Sequence, residues 1–158
     1  MSEIDQAAEL FVANVFVRNG WDVYFPHKDK GFDFIITKKI SEDFIIRPVQ
    51  VKGKYPTIRK TRKRVYGFVG PISTFNEDMV LAIPFYESIG LNIIPAHIAY
   101  MPFLTIRKKQ EKYRCEPCRY EDKAIPRREY IRFFDEDGIK NIENKAWRRM
   151  NVIDTEET

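Results

Sequence analysis

Two strand-like runs joined by a short polar turn constrain the fold of this chain more than any other feature. The first run covers residues 34–37, the second covers residues 44–52, and a polar stretch at residues 38–43 separates them. Two such runs with a short polar connection predict an antiparallel hairpin. We therefore expect the chain to be organised around this hairpin.

The hairpin is expected to bring several polar side chains to one place. Because side chains alternate between the two faces of a strand, Gln50 and Lys52 should share one face. Asp33 precedes the first run and can lie beside that face. Hard cations such as Mg²⁺ bind oxygen ligands, lower the pKa of a bound water and offset phosphate charge, and a nearby lysine can orient that water. An Asp and a Lys at strand ends also occur in hairpins without any site, so both interpretations stay open at this point.

The stretch around Asp33 resembles the PD-(D/E)XK nuclease superfamily. That family carries an Asp and then, on the next strand, an Asp or Glu followed by any residue and a Lys. Asp33 and Lys52 match this pattern, while Gln50 stands where the acid is usual and Phe32 replaces the family's Pro. The resemblance covers residues 3–55. It implies a restriction-endonuclease-like α/β fold, with a central mixed β-sheet flanked by α-helices.

The resemblance also implies an activity, that of a Mg²⁺- or Mn²⁺-dependent endonuclease hydrolysing phosphodiester bonds in DNA. Lys52 would orient the attacking water. The implied metal ligands are Glu9, Asp33, Gln50 through its side-chain oxygen and Val51 through its backbone carbonyl. Because Gln50 lacks the charge of an acid, two alternatives are kept: a catalytically inactive nucleic-acid-binding module of the same fold, and a protein-interaction domain.

An N-terminal helix is indicated by apolar residues at helical spacing after Ser2. This stripe consists of Ile4, Ala8, Phe11 and Val15. The family's helix glutamate precedes a glycine–aromatic turn by about three helical turns, as Glu9 precedes Gly20. Asp5 and Glu3 are the competing acids.

The remaining elements are predicted from apolar runs, periodicity and turn residues. We expect strands at residues 21–25, 79–84 and 91–101, a turn-rich link at 68–72, a charged irregular excursion at 105–128, a turn at 137–138 and a final helix at 139–150. Pro95 argues that its strand lies at a sheet edge or contains a bulge. Residues 1–150 are read as one domain and residues 151–158 as a disordered acidic tail.

A strongly basic segment follows Lys52. Its cations occur without any intervening acid: Lys54, Arg59, Lys60, Arg62, Lys63 and Arg64. Basic runs often form solvated faces, but phosphate-bearing ligands require dispersed positive charge. Beside the predicted site, this run predicts contact with the backbone of duplex or branched DNA.

Composition narrows the remaining possibilities. With 158 residues, 44% hydrophobic residues and a net charge of +4, the chain is expected to form one packed domain. No apolar run approaches the length of a membrane span and the N-terminus is acidic, which favours a cytoplasmic protein. A double-strand cut with one active site per chain would favour a homodimer.

The two cysteines, Cys115 and Cys118, form a single Cys-x-x-Cys pair. Half of a zinc site has this spacing, but a tetrahedral site needs four ligands, and His27 and His97 have no spacing that relates them to the pair. A redox pair is a second alternative. We expect two reduced thiols on a surface turn.

Overall fold

A five-stranded mixed sheet lies at the centre of the computed structural model, which describes residues 3–28, 30–56, 68–73, 75–120 and 123–152. The strands are β1 (Asp22–Tyr24), β2 (Phe34–Ile40), β3 (Asp43–Val51), β4 (Phe68–Gly70), β5 (Val80–Ile89), β6 (Asn92–Pro102), β7 (Arg107–Lys109), β8 (Lys112–Arg114), β9 (Cys118–Tyr120) and β10 (Ala124–Pro126). The α-helices are α1 (Glu3–Arg18) and α2 (Asp135–Asn141), and 3₁₀ turns cover Phe103–Thr105, Arg128–Phe133 and Trp147–Arg149.

The central sheet has the strand order β1-β2-β3-β5-β6. Strands β3 and β5 are parallel, whereas the other neighbouring pairs are antiparallel. The predicted hairpin is confirmed as β2–β3, whose turn contains Ser41 in the left-handed region at φ 54°. The α/β class and the central mixed sheet are therefore confirmed. Two smaller sheets, β4-β8-β7 and β9-β10, complete the strands of the described residues.

Both α-helices pack on one face of the central sheet. Phe16 of α1 contacts Phe34 of β2 and Tyr100 of β6, with ring centroids 6.0 and 5.5 Å apart. A Cβ on Gly138 of α2 would lie 3.0 Å from Tyr100, which shows how closely this helix approaches the same strand. The opposite face is covered in part by β9, whose buried Tyr120 contacts Phe85 of β5 at 5.8 Å.

The face that α1 buries differs from the predicted stripe. The fully buried side chains of the helix are Ala8, Val12, Ala13 and Phe16. Ile4 is 59% exposed, whereas Phe11 and Val15 are partly buried. Apolar residues surround this helix, because Leu10 and Val17 are also more than half exposed. Periodicity alone therefore does not select the buried face.

The C-terminal prediction is wrong in its boundaries. The helix covers Asp135–Asn141 instead of residues 139–150, and the predicted turn at 137–138 lies inside it. Position 138 requires a glycine, because a Cβ there would lie 2.1 Å from the carbonyl oxygen of Phe133. The helix stops near Ile142, whose carbonyl accepts a hydrogen bond from Arg47 Nε at 3.0 Å. Trp147 then anchors the final segment by donating from Nε1 to the Met79 carbonyl at 3.0 Å.

Two further predictions need correction. The excursion at 105–128 contains the short strands β7 to β10, and the link at 68–72 contains β4. Such strands, three residues long, are too short to show a clear alternation of apolar and polar side chains. The cysteines, expected on a surface turn, are both buried; neither forms a disulfide.

The prediction for Pro95 is confirmed in both respects. Strand β6 lies at the edge of the central sheet, and its register with β5 shifts between Phe85 and Tyr86. Phe85 pairs with His97 and Tyr86 with Pro95, so Ala96 is left as a bulge. In the described part of the chain, no helix is both long and apolar enough to cross a membrane. Of the predicted tail, residues 153–158 lie outside the described part.

Candidate active site

Asp33 lies where the β2–β3 ladder ends. Its backbone N–H donates to the Val49 carbonyl at 2.9 Å. Its carboxylate Oδ2 accepts a hydrogen bond from the backbone N–H of Val51 at 2.6 Å. A charge-assisted bond of this kind fixes a carboxylate more firmly than a neutral bond does. The structure therefore holds Asp33 beside the segment that contains Gln50 and Lys52.

Gln50 and Lys52 continue the ladder on the other side of β3. Gln50 pairs directly with Leu81 of β5, and the Lys52 N–H donates to the Ala82 carbonyl at 3.0 Å. Since residues two apart on a strand point to the same face, these two side chains share a face, whereas the buried Val51 faces away from them. The expected grouping of Asp33, Gln50 and Lys52 around one strand end is thus present in the backbone.

The side-chain oxygen of Gln50 is the least satisfied polar atom of this group. Oε1 is buried and has no hydrogen-bond partner among the described residues. A buried acceptor without a donor costs about 1–3 kcal/mol. Native proteins keep few such atoms, and those they keep often face a ligand, an ion or a water. An ion or water at this oxygen would remove the penalty.

Glu9 approaches Asp33 from α1. The two half-buried acids line one cleft of about 270 Å³, together with Phe25, Pro26 and His27. Lys28 and Phe32 complete its walls. Glu3 and Asp5, the competing acids, are exposed and are not part of this cleft. Gln50, Val51 and Lys52 are not among the cleft walls either, so the structure places Glu9 with Asp33 and not directly with Gln50.

The oxygen atoms of this region suit a hard cation. Glu9 and Asp33 supply carboxylates and Gln50 supplies an unpartnered amide oxygen, whereas Mg²⁺ and Mn²⁺ prefer oxygen ligands. The described residues contain no group of three or more His, Cys, Asp or Glu side chains placed to hold a metal. A site here therefore depends on the amide oxygen as well as on the two acids.

Lys54 differs from the solvated cation that the basic run suggested. After Gly53, its N–H donates to the Pro84 carbonyl at 2.9 Å and its carbonyl accepts from the Tyr86 N–H at 2.9 Å. Burial lowers the pKa of the Lys54 ammonium, and the charge of Lys52 lowers it further. The other predicted DNA-binding cations lie outside the described residues: Arg59, Lys60, Arg62, Lys63 and Arg64.

Tyr55 ties the end of this segment to the start of α1. Its hydroxyl donates to the Ile4 carbonyl at 3.2 Å, and its ring stacks on Tyr86 with centroids 4.5 Å apart. A Cβ on Gly53 would lie 2.8 Å from the Tyr55 hydroxyl oxygen. The chain after Lys52 is therefore packed against both β5 and the helix that carries Glu9.

A second polar cluster lies at the bulge of β6 and was missed from the sequence. His97 Nδ1 lies 2.7 Å from Asp135 Oδ2, and Asp135 Oδ1 accepts from the Ile98 N–H at 2.9 Å. Asp135 has a left-handed backbone at φ 53°. Both residues, with Glu136, line two clefts of about 420 and 600 Å³. The pair is separated by 38 residues, and the one local signal was Pro95, which marked the bulge.

Both cysteines are shielded from solvent. Burial raises the pKa of the Cys115 thiol and of the Cys118 thiol to about 12. Thr105 Oγ1 lies 4.0 Å from Cys115 Sγ, and Cys118 Sγ donates to the Arg119 carbonyl at 3.3 Å. These thiols are protonated packing groups at neutral pH.

The side chains around Asp33 are the basis for a functional proposal, because comparison with known proteins found no relative. No family model, no curated protein and no solved structure matches the chain.

Proposed function

We propose that the protein is a Mg²⁺- or Mn²⁺-dependent endonuclease that hydrolyses phosphodiester bonds in DNA. The observation that carries this proposal is the Oε1 of Gln50, which is buried and has no hydrogen-bond partner in the described part of the chain, next to Val51, whose N–H binds Asp33. An inactive relic of a site gains nothing from an unsatisfied buried oxygen, whereas a cation or its water would satisfy it.

Each residue has a distinct role in the proposed site. Asp33 and Glu9 supply negative charge, and the Gln50 amide oxygen and the Val51 carbonyl supply neutral oxygens. When bound, the divalent ion lowers the pKa of a water and offsets charge on the phosphate. The Lys52 ammonium orients the attacking water and stabilises the negative charge that develops on the phosphate. The hydrogen bond from Val51 holds Asp33 in place before substrate arrives.

The order of elements supports the same proposal. A helix with Glu9, a strand that starts after Asp33 and a neighbouring strand that ends at Gln50-Val51-Lys52 follow one another as the resemblance implies. The α/β sheet and its hairpin are compatible with the restriction-endonuclease-like fold. We include that fold in the proposal, with duplex or branched DNA as the substrate.

Asp33→Asn tests the assigned chemistry. An Asn oxygen can still accept the bond from Val51, so the fold should persist while the charge is lost. We expect nicking of supercoiled plasmid in Mg²⁺ to fall at least about 100-fold, the scale of losing one preorganised catalytic group. Asp22→Asn, at an exposed acid of β1, is the matched control and should cut normally. Undiminished cleavage by Asp33→Asn would refute the assignment.

Two further variants separate the roles. Lys52→Met should slow cleavage while largely preserving Mg²⁺ binding, because the ammonium is not a metal ligand. Gln50→Glu restores the acid of the family pattern and should tighten metal binding with equal or higher activity. Salt-sensitive DNA binding without cleavage by the natural sequence would instead support the inactive binding module, and neither binding nor cleavage would support the protein-interaction domain. Double-strand cuts at a rate second order in protein would support a homodimer.

A further inference from the structure

The β7–β8 hairpin displays an array of cations on a single face. Arg107 pairs directly with Arg114, and Lys109 pairs directly with Lys112. Residues that pair across strands share a face, as do residues two apart on one strand. We name the resulting set the cation array: Arg107, Lys109, Lys112 and Arg114. All of these residues are exposed.

The array places the Cβ atoms of like-charged residues within about one Debye length of one another. Neighbours along a strand are about 7 Å apart at two residues' rise, and direct cross-strand partners have Cβ atoms about 5 Å apart. The Debye length at physiological salt is about 8 Å, so the charges repel one another. Like charges directly opposite each other destabilise a strand pair. In the described part of the chain, no carboxylate lies within 4 Å of Arg107, Lys109 or Arg114.

The other face of the hairpin holds the array in place. Tyr113 is buried and contacts the Phe75 ring at 4.6 Å, which in turn contacts Phe103 at 4.4 Å. Lys108 lies on this inner side, with Nζ 5.7 Å from the Tyr113 centroid. Strand β8 also pairs with β4, so the hairpin is fixed on its flank. The cations are therefore kept together by the fold instead of separating into solvent.

We propose that the cation array is a second binding surface for the phosphodiester backbone of duplex DNA. Naming DNA as the partner rests on the proposed function, whereas the array itself stands on strand register and exposure. Duplex DNA carries one negative charge per about 1.7 Å of its axis, which matches a dense cluster of cations. Backbone contacts of this kind position DNA without reading its sequence.

The composition of the face favours nucleic acid over a protein partner. Protein–protein interfaces have an apolar core with few charged residues, and lysine is depleted there. The outer face of β7–β8 presents cations alone, and Glu111, the acid of the hairpin, lies in its turn. The chain has 27 Lys and Arg against 23 Asp and Glu, so a face with four cations and no acid is a local excess of positive charge.

The test compares two fourfold serine variants: one replaces the cation array, and the other replaces four cations scattered over the surface. The array variant is R107S/K109S/K112S/R114S, and the control is K39S/K123S/K140S/R149S, which removes the same charge from exposed positions elsewhere. Binding of a duplex is measured by fluorescence anisotropy between 50 and 300 mM NaCl. We expect the array variant to bind at least about 100-fold more weakly at low salt, with a salt slope reduced by about 0.9 per lost phosphate contact. The control variant should lose far less affinity for the duplex.

Stability and cleavage separate this proposal from the proposed function. The array variant should melt no lower than the natural protein, because it loses repulsion, and it should raise KM for cleavage without changing kcat. If the fourfold change prevents folding, K109S/K112S at the hairpin end replaces it. Salt-dependent binding without cleavage by the natural protein would refute the nuclease but leave the array standing. Equal losses in array and control, an unchanged slope, or loss of binding to phosphatidylserine vesicles instead of DNA would overturn the array proposal.

Discussion

Arg47 and the cation array show two opposite ways in which this protein keeps positive charge. Arg47 is buried, with 6% of its surface exposed. Its Nε donates to the Ile142 carbonyl at 3.0 Å, its Nη1 lies 3.5 Å from Asp78, and its guanidinium lies 5.6 Å from the Trp147 centroid. Burial lowers the pKa of Arg47, and Asp78 opposes that shift. The array cations are exposed and lie against one another.

This difference distinguishes charges that stabilise the fold from charges that are available to bind a ligand. Each guanidinium nitrogen of Arg47 has a partner: Nε the Ile142 carbonyl, Nη2 the Asn144 carbonyl and Nη1 Asp78. These contacts join the sheet to the C-terminal segment. The array residues instead face one another across the β7–β8 hairpin, cation opposite cation. Gln50 Oε1 is the reverse case, a buried acceptor without a donor among the described residues. This oxygen and the cation array lie where we propose that the metal and DNA bind.

Arg47→Met should have the largest effect on stability. The change leaves the Ile142 carbonyl without the Arg47 donor and removes one of the two arginines beside Asp78, while it also removes the desolvation penalty of a buried charge. We expect the free energy of unfolding, measured in urea, to fall by about 3 kcal/mol. DNA binding, measured under conditions in which the variant is fully folded, should not change, because Arg47 is buried.

Arg148→Gln is the matched control for Arg47. Arg148 also binds Asp78, with Nε 2.7 Å from Oδ1, but it lies on the surface. Surface ion pairs contribute little. A loss as large as that of Arg47→Met would show that Asp78, and not burial of Arg47, secures the C-terminal segment.

Alkaline pH should lower the free energy of unfolding, because it favours ionisation of the buried Cys115 thiol. Cys115 follows Arg114 directly, yet burial raises the pKa of its thiol to about 12. The unfolded thiol ionises near pH 8.5, so its stabilising contribution is complete below that pH and is lost as pH rises toward 12. At pH 10 the loss should be roughly 2 kcal/mol relative to pH 7.5, and Cys115→Ala should lack it. Equal pH dependence in both proteins would mean that solvent reaches the thiol.

Arg107→Glu should give the smallest change in stability and of the opposite sign. The substitution places a carboxylate opposite Arg114 and should raise the free energy of unfolding by roughly 0.5 kcal/mol at low salt. High salt should reduce this gain. Lys39→Glu, which faces Phe44 across the hairpin, should show no such gain. DNA binding by Arg107→Glu should weaken despite the higher stability, and a loss of stability would contradict the repulsion that we infer in the array.

The central hairpin could be predicted because its signal is local. Apolar runs of strand length flank a turn whose tip, Ser41–Glu42, is polar, and each strand contains enough residues to show its character. Pro95 was informative for the same reason, since proline within a strand favours a sheet edge or a bulge. The C-terminal helix could not be placed, because its end depends on Arg47, far away in the sequence. Its apolar residues follow helical spacing whether or not the helix continues.

The candidate site was only partly accessible from the sequence. Strand alternation was enough to put Gln50 and Lys52 on one face, and the position of Asp33 before its strand suggested proximity. That the Val51 N–H binds Asp33 could not be foreseen, because it depends on how the chain enters β2. The His97–Asp135 pair was missed because it joins a strand to a helix 38 residues away, and the cation array was missed because it depends on strand register, which composition does not reveal.

The parallel seam between β3 and β5 has a consequence for how the protein can vary. Each half of the central sheet is a hairpin that forms locally, β2–β3 on one side and β5–β6 on the other, and the seam joins them through the connection from Lys52 to Met79. Closing a connection of that length costs about 3 kcal/mol of chain entropy, and doubling it would add only about 0.6 kcal/mol. Insertions between the seam strands that preserve the packing of Lys54, Tyr55 and β4 should therefore cost little chain entropy. Under the proposed function, the length and charge of this connection can therefore change while Gln50 and Lys52 keep their places at the end of β3.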